Sequence, residues 1–456
     1  MAKKILVIGA GPAGYPAALK ARELGCEVTL AERAQVGGVC LNWGCIPSKS
    51  FLDAAHRFHT VSHLGGLLND GSAPALEAVR AAMSWEKIQA RRQGVIEKLK
   101  GSLKKYFDAK GVKLVNGTAS FVSPNEVEIA GPDGNVRVQF DAAIIAAGTR
   151  PFFPKPFDAF REKLLDNDRV FSLPRLPKSV IVVGGGVIGA EFSCFFNALG
   201  SQVDIVEMLP GLIPGEDDAA VRALQSSFDK RGIKLHLGKT ASGVAEEGGL
   251  KALTLSDGTV LRAEEILVAA GRVCELAPLK LENAGIAWDR KGVKVDSRLR
   301  TSVPHIFAAG DVNGLSLLAH AATMQGEIAA ENAAGKDAEC DNSLIPRCIY
   351  TWPEIASVGL NKKQAESAGR TVRQQRAFFM ASGRAMTQDE TEGFVQVVSD
   401  AATGEILGAQ IAGVSATEMI HIFSVAIKAK MTVSDLKGVV FAHPTMSETI
   451  HEALLR

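Results

Sequence analysis

The chain lacks a surplus of charge of either sign, with 51 lysines and arginines against 50 aspartates and glutamates in 456 residues. No block of like charge stands out, which excludes the basic stripe that a nucleic-acid partner requires. Cysteine is scarce too: seven in all is an odd number, at a density too low for a secreted disulfide framework. Any bridge should therefore be a working one, and Cys26, Cys194, Cys274, Cys340 and Cys348, with no close cysteine neighbour, read as packed thiols. Long apolar runs are missing as well. Val180 to Gly200 carries one charge, Glu191, but the consecutive glycines Gly184 to Gly186 would break a spanning helix, so no membrane segment is expected. Met1 leads directly into the apolar run Ile5 to Ile8 with no signal-peptide or transit layout, which points to a cytoplasmic protein. The remaining composition, 46% hydrophobic and 22% charged, is that of a globular chain, long enough for about three domains at roughly 150 residues each.

Glycine is what the chain does have, 45 residues of it, placed as a repeat at an offset of 175 residues. Gly9, Gly11 and Gly14 become Gly184, Gly186 and Gly189; Leu24-Gly25 becomes Leu199-Gly200; Glu32 becomes Glu207. Each copy reads as an apolar strand, a G-x-G-x-x-G turn, a helix and a second strand ending in an acid. In such a unit the glycines permit a tight turn and close backbone approach, the helix N-terminus faces a pyrophosphate, and the acid accepts ribose hydroxyls. One copy alone could be a glycine-rich turn; two with the same 18-residue gap from last glycine to acid predict two bound dinucleotides. Glu207 would repel a 2′-phosphate, and Met208 to Val221 holds three acids and no Lys or Arg, so NAD is expected over NADP. Further strands end at Gly148, Gly271 and Gly310-Asp311, where a parallel sheet binds ligands; Asp311 reads either as a cofactor contact or as the cap of the next turn. From Ser343 the pattern changes to a hairpin, Phe394 to Ser399 with Ile406 to Ala412, and helices over Glu418 to Lys430 and Ser447 to Leu455. That is an α+β unit, free to serve association.

Cys40 and Cys45 follow Gly37-Gly38. A bridge between them needs Cα atoms about 4.4–6.8 Å apart, so it would have to span a distorted first helical turn, where a thiolate is stabilised by the helix N-terminus. Two unrelated loop cysteines remain the alternative; a metal site would need further ligands at short spacing, and none is expected.

The run Gly37-Gly38-Val39-Cys40-Leu41-Asn42-Trp43-Gly44-Cys45-Ile46-Pro47-Ser48-Lys49 resembles the redox-disulfide signature of the FAD-dependent pyridine nucleotide-disulfide oxidoreductases, and most closely the branch that oxidises dihydrolipoamide. The resemblance continues through Ile306 to Asp311, Leu318-Ala319-His320, Tyr350 to Glu354, and His443-Pro444-Thr445-Met446-Ser447-Glu448. It implies a Cys40–Cys45 redox disulfide, FAD in the first nucleotide site with Gly148, Asp311 and Ala319 among its contacts, and NAD in the second with Gly271 nearby. It also implies that Cys40 exchanges with a dithiol substrate, that Cys45 forms the thiolate beside the flavin, and that Lys49 and Glu191 pair next to it. The implied organisation is α/β: two Rossmann-like units and a C-terminal α+β dimerisation unit. The expected boundaries are 1–150 (FAD, first part), 151–273 (NAD), 274–342 (FAD, second part) and 343–456 (interface).

Thr445 and Glu448 have capping-box spacing, so Glu448 reads as a helix cap on the residues alone. The resemblance instead makes His443 the base that deprotonates the dithiol and Glu448 the carboxylate that orients it, in a tail that reaches the other subunit of a homodimer. His421 and His451 read as structural. The implied partners are dihydrolipoamide or a separate lipoyl-bearing protein, of a 2-oxoacid dehydrogenase or glycine cleavage complex. The rivals are an NAD(P)H-dependent reductase of the same family and a flavin-bound docking scaffold. Two departures stand out: Val273-Cys274-Glu275, where the family usually shows Arg/Lys-Pro-Asn-type letters beside the nicotinamide, and Trp43, at a position that is often small or branched.

Overall fold

The computed structural model describes residues 2–61, 64 and 67–456. Strand Lys4–Ile8 is apolar and buried beyond its exposed first residue, as a central strand covered on both faces must be. It lies between the parallel strands Glu27–Glu32 and Ala142–Ile145 in a five-stranded sheet, with Lys113–Asn116 and Ile306–Ala308 at the edges. A second parallel sheet runs Lys234–Leu237, Gln202–Glu207, Ser179–Val183, Glu265–Val268. The repeat holds to the register, since Val28 sits opposite Ile5 in the first sheet and Val203 opposite Val180 in the second.

The duplication also reaches further than the glycine pattern reveals. Each unit inserts a three-stranded antiparallel meander before its next parallel strand, Thr118–Ser123 to Gly134–Gln139 in the first and Ala241–Glu247 to Val260–Ala263 in the second. The apolar stretch from Val180 to Gly200 is the strand Ser179–Val183, a glycine turn and helix Val187–Ala198. No helix among the described residues is long and apolar enough to cross a membrane.

Between Glu32 and Lys113 the first unit carries a long helix, Trp85–Lys110, matched before the corresponding strand of the second unit by the shorter Asp218–Lys230, and also helices the second lacks, chiefly Cys45–Val61. The long one starts at Ser84, whose hydroxyl accepts from the Lys87 N–H, and stops at Gly111 in the left-handed region. Helix Cys45–Val61 buries its Phe51 face against Val187–Ala198, with the Phe51 and Phe195 rings stacked at 4.7 Å. Removing a fully buried phenylalanine costs about 3–5 kcal/mol, so this contact fixes the helix, and with it Cys45 at its first residue, against the second unit.

The C-terminal part is a five-stranded antiparallel sheet ordered Arg347–Ile349, Ile355–Gly359, Ile406–Ala412, Phe394–Asp400, Val372–Phe378. Helices Ala416–Lys428 and Glu448–Leu454 pack on it with the apolar residues Phe423, Ile420 and Ile450 in its core. The expected hairpin and both helices are present, each helix starting or stopping within about two residues of its expected end.

Candidate active site

Two glycine turns end the first strands of the two sheets. Gly9 has φ +103°, and a Cβ there would lie 2.3 Å from the Ala146 carbonyl oxygen; one on Gly14 would lie 1.7 Å from that of Gly9. The second unit repeats this, Gly184 against Ala269 at 2.4 Å and Gly189 against Gly184 at 1.9 Å. The middle glycines differ in kind: a Cβ on Gly186 would meet nothing within 4 Å, and one on Gly11 only the Gly38 Cα at 3.7 Å. Bare backbone at the start of a helix thus faces open space in both units, the cradle that a pyrophosphate fits.

The acids occupy matching places but do more than expected. Glu32 accepts the Ala10 and Ala34 N–H groups, both at 2.7 Å, and Glu207 accepts those of Gly185 at 2.6 Å and Leu209 at 2.7 Å. Each buried carboxylate ties the glycine turn to the segment after its own strand, and each oxygen keeps a lone pair for a ribose hydroxyl.

The cysteine loop starts against the first cradle. The Gly37 N–H donates to Ala10, and a Cβ on Gly38 would lie 2.6 Å from the Gly11 Cα. Cys40 belongs to the short helix Gly38–Asn42, which ends at Trp43, while Cys45 opens helix Cys45–Val61. The expected distorted first turn is therefore a break between two helices. Both cysteines are free thiols, the dithiol form of such a pair, with their sulfurs in hydrogen-bonding reach. The Cys40 S–H donates to Cys45, and the Lys49 ammonium and the Cys45 N–H add to this; together they pull the Cys45 thiol down to about 7 against burial and the Glu191 charge. The shared hydrogen bond, burial and the Cys45 charge push Cys40 up.

Lys49 donates to both oxygens of Glu191, at 3.0 and 2.7 Å. Glu191 also takes the Tyr350 N–H at 3.1 Å, and the Lys49 ammonium sits 4.6 Å from the centroid of the Tyr350 ring. One residue from each of three units meets here. Tyr350 was in the resembling stretch, but no local signal in the sequence marks its contacts.

Gly148 and Gly310 turn their strand ends with positive φ, and Gly271 does the same in the second unit. The Asp311 carboxylate accepts the Thr149 hydroxyl at 2.9 Å rather than capping its turn, and burial pushes it upward. Ala319 begins helix Ala319–Ala334, whose first N–H groups have no side-chain cap. The departure at Val273 to Glu275 turns toward the first unit: the Cys274 thiol rests on the Asp311 and Val312 carbonyls, and Glu275 bridges Arg33 at 3.0 Å and Arg150 at 3.4 Å.

His443 Nδ1 and Glu448 Oε1 are 2.9 Å apart, and the other Glu448 oxygen accepts the Thr445 N–H at 2.8 Å. The expected capping box does not form, because Ser447 is the N-cap of the helix and Glu448 its first residue; Glu448 instead ties the Thr445 N–H to the dyad, while the Thr445 hydroxyl turns away to Ala442. The His443 side chain is 81% exposed in one copy of the chain. His421 contacts the Glu418 carbonyl and His451 lies tilted against the Phe441 ring, each on a helix flank. Among the described residues no group of His, Cys, Asp and Glu could hold a metal ion.

Comparison with known proteins agrees with this geometry. Residues 3–326 match the model of the pyridine nucleotide-disulphide oxidoreductases, and residues 345–454 match the dimerisation domain of the same proteins. A dihydrolipoyl dehydrogenase of Bacillus subtilis is 38% identical over 99% of this chain and 98% of its own length. One of Thermus scotoductus is 38% identical over 98% and 96%. Among solved structures, LpdA from Mycobacterium tuberculosis superimposes with a TM-score of 0.92 at 28% identity, covering 99% of both chains. The HOCl-induced flavoprotein disulfide reductase RclA from Escherichia coli superimposes with a TM-score of 0.87 at 25% identity, covering 99% of both chains.

Proposed function

Because this chain belongs to the pyridine nucleotide-disulphide oxidoreductase family, we propose that it is a dihydrolipoyl dehydrogenase, oxidising dihydrolipoyl groups with NAD through Cys40 and Cys45. The observation that carries the reading is the placement of two free thiols, Cys40 and Cys45, at the break between two helices, with the Lys49–Glu191 ion pair one turn along the helix that Cys45 opens.

The chain's own residues account for the steps at sulfur. A substrate thiolate attacks Cys40 of the Cys40–Cys45 disulfide; the S–S bond breaks and its electron pair leaves on Cys45, the better leaving group because Lys49 and the helix N-terminus stabilise its anion. The second substrate thiol displaces Cys40 from the mixed disulfide, so substrate departs as a disulfide and the pair remains reduced. The first cradle, with Gly148, Asp311 and Ala319, would hold FAD, which when bound would supply the two-electron chemistry between the dithiol and the nicotinamide. NAD fits the second cradle, where Glu207 and the acids after it disfavour a 2′-phosphate.

His443 from a second copy takes the substrate proton, with Glu448 holding the Nδ1 side so that Nε2 is the acceptor. Exposure of His443 in one copy and the dimerisation match support that homodimer. A lipoyl-bearing protein of a 2-oxoacid dehydrogenase or glycine cleavage complex is the proposed partner, and the cytoplasm the proposed location.

The test is steady-state turnover of the purified holoenzyme with NAD and dihydrolipoamide, run beside NADPH with oxidised glutathione. Turnover in the first assay with little in the second is expected; the reverse would overturn the reading.

A further inference from the structure

The carbonyl between the two cysteines is held by a side chain from the other nucleotide unit. Trp43 ends the helix Gly38–Asn42, so its carbonyl has no place in a helical ladder. Asn167 donates to it from Nδ2 at 3.3 Å and to the Asp168 carboxylate at 2.7 Å, while Asn167 Oδ1 accepts from Arg272 at 3.0 Å. Two acceptors face the amide nitrogen and a donor faces its oxygen, which fixes the orientation of the amide. Asn167 is only 8% exposed and fully partnered, so its geometry is set by these bonds.

Both ends of the link are anchored. Two residues before Asn167, Leu165 joins the second parallel sheet through bonds to Ile266 at 2.9 Å and from Val268 at 2.8 Å. Arg272 forks onto Thr149, from Nε to the hydroxyl at 2.9 Å and from Nη2 to the carbonyl at 2.8 Å, and the Thr149 hydroxyl donates to Asp311 at 2.9 Å. A continuous path thus runs from Asp311, through Thr149, Arg272 and Asn167, to the backbone between Cys40 and Cys45.

We propose that Asn167 and Arg272 are positioning residues for the redox pair, a clamp that holds the Cys40–Cys45 loop in its bridging geometry and so sets the reduction potential of the disulfide. This deepens the proposed function and rests on it.

The sign follows from where the released freedom goes. In the bridged form the covalent bond already restrains the loop, so loss of the clamp adds little motion. In the dithiol form the clamp is the restraint on the Trp43 backbone, and its loss lets the two sulfurs drift apart. The added entropy belongs to the dithiol, so the disulfide becomes easier to reduce.

The test equilibrates holoenzyme with glutathione buffers, in which two glutathione thiols reduce the bridge and leave as oxidised glutathione. The bridged fraction is read by alkylation and peptide mass, with no lipoyl substrate or nicotinamide involved. Failure of the clamp is therefore distinguishable from failure of the assigned activity, which the turnover assays read. Asn167→Ala should shift the equilibrium about tenfold toward the dithiol, or about 30 mV for this two-electron couple. Asn167→Asp, which keeps the acceptor for Arg272 but loses the donor to Trp43, should shift it in the same direction.

Arg272→Lys keeps the charge and loses the fork; its shift should be smaller and non-additive with Asn167→Ala. Should Asn167→Ala fail to fold, Asn167→Asp and Arg272→Lys carry the same test. Equilibrium constants within twofold of the parent in folded Asn167→Ala or Asn167→Asp would overturn the clamp. Additive shifts would overturn the link through Arg272.

Discussion

Lys49 and Glu191 act on Cys45 with opposite signs, and that makes the ion pair separable by charge. The Cys45 thiol is held near 7, below its ordinary value near 9, first by the Cys40 hydrogen bond and then by the Lys49 ammonium, while burial and the Glu191 carboxylate push the other way. An opposite charge at this range is worth at least about one pKa unit. Lys49→Met should therefore move Cys45 to about 8, and the thiolate fraction at pH 7 falls from about a half to about a tenth. Glu191→Gln keeps an acceptor for Lys49 and for the Tyr350 N–H but removes the negative charge, so Cys45 should titrate below 7. Two substitutions in one ion pair thus shift one thiol in opposite directions. Lys49→Met also strands Glu191, 6% exposed, at a cost toward the lower end of the about 3–5 kcal/mol for breaking a buried pair, because Lys49 is 34% exposed. The double variant restores neutrality and serves as the folding control. The assay is the alkylation rate of Cys45 against pH in a Cys40→Ser background, where the serine hydroxyl still donates. The midpoint is the readout, since a thiolate of higher pKa is intrinsically more nucleophilic. An unmoved midpoint in Lys49→Met, or an upward shift in Glu191→Gln, would refute the electrostatic account.

Other consequences are as specific. His443→Gln should slow reduction by dihydrolipoamide about 10²- to 10⁴-fold; Glu448→Gln, whose one amide oxygen cannot serve both His443 and the Thr445 N–H, should slow it less, and stopped-flow reduction of both variants decides whether the dyad acts. Glu207→Arg should narrow the preference for NAD over NADP and also lower Tm, because two backbone N–H groups lose their acceptor; an unchanged Tm would remove the stapling role. Gly186→Ala should fold normally, since its Cβ enters open space, but raise KM for NAD, whereas Gly189→Ala meets the Gly184 carbonyl at 1.9 Å and should unfold at markedly lower temperature. Asp168 is pushed up to about 6, first by burial and then by the Asp166 charge. Its folded value lies above its unfolded one, so its contribution to stability is complete below about pH 4 and is lost as pH rises through about 6. Urea unfolding from pH 4 to 7 should show that decline in the parent and a flatter profile in Asp168→Asn.

The parts of this architecture that the sequence made legible are those whose physics is local. Gly9, Gly14, Gly184 and Gly189 are required by backbone atoms within a few residues or at the neighbouring strand end, so the repeat could be read directly. Glu191, buried among phenylalanines on an apolar helix, signalled that it needed a partner before Lys49 was placed beside it. Asn167 and Thr149 left no such trace, because the partners that tie them to the site, Trp43 and Arg272, lie more than a hundred residues away and neither stands in a motif. The meanders are marked by period two, Val127 and Ile129 alternating with Glu126 and Glu128 and Val136 and Val138 with Arg137 and Gln139, but such short strands do not announce which neighbours they pair with. At Glu448 the T-x-x-E spacing misleads because the helix starts at Glu448 itself rather than at Thr445, so its carboxylate serves His443 and the Thr445 N–H of the preceding turn instead of capping.

The equivalence of the two nucleotide cradles has a consequence for how this enzyme tells its cofactors apart. Turn, stapling acid and strand register coincide after translation by 175 residues, and two copies of one lock cannot sort two keys. Discrimination must therefore be written where the copies fail to superimpose: in the helices that follow Glu32 and deliver the reactive sulfurs, and in the acidic segment that follows Glu207. An engineer who wished to exchange one nucleotide for another would leave the glycines alone and rewrite those margins, since the shared motif says only that a dinucleotide belongs there and the flanking text says which.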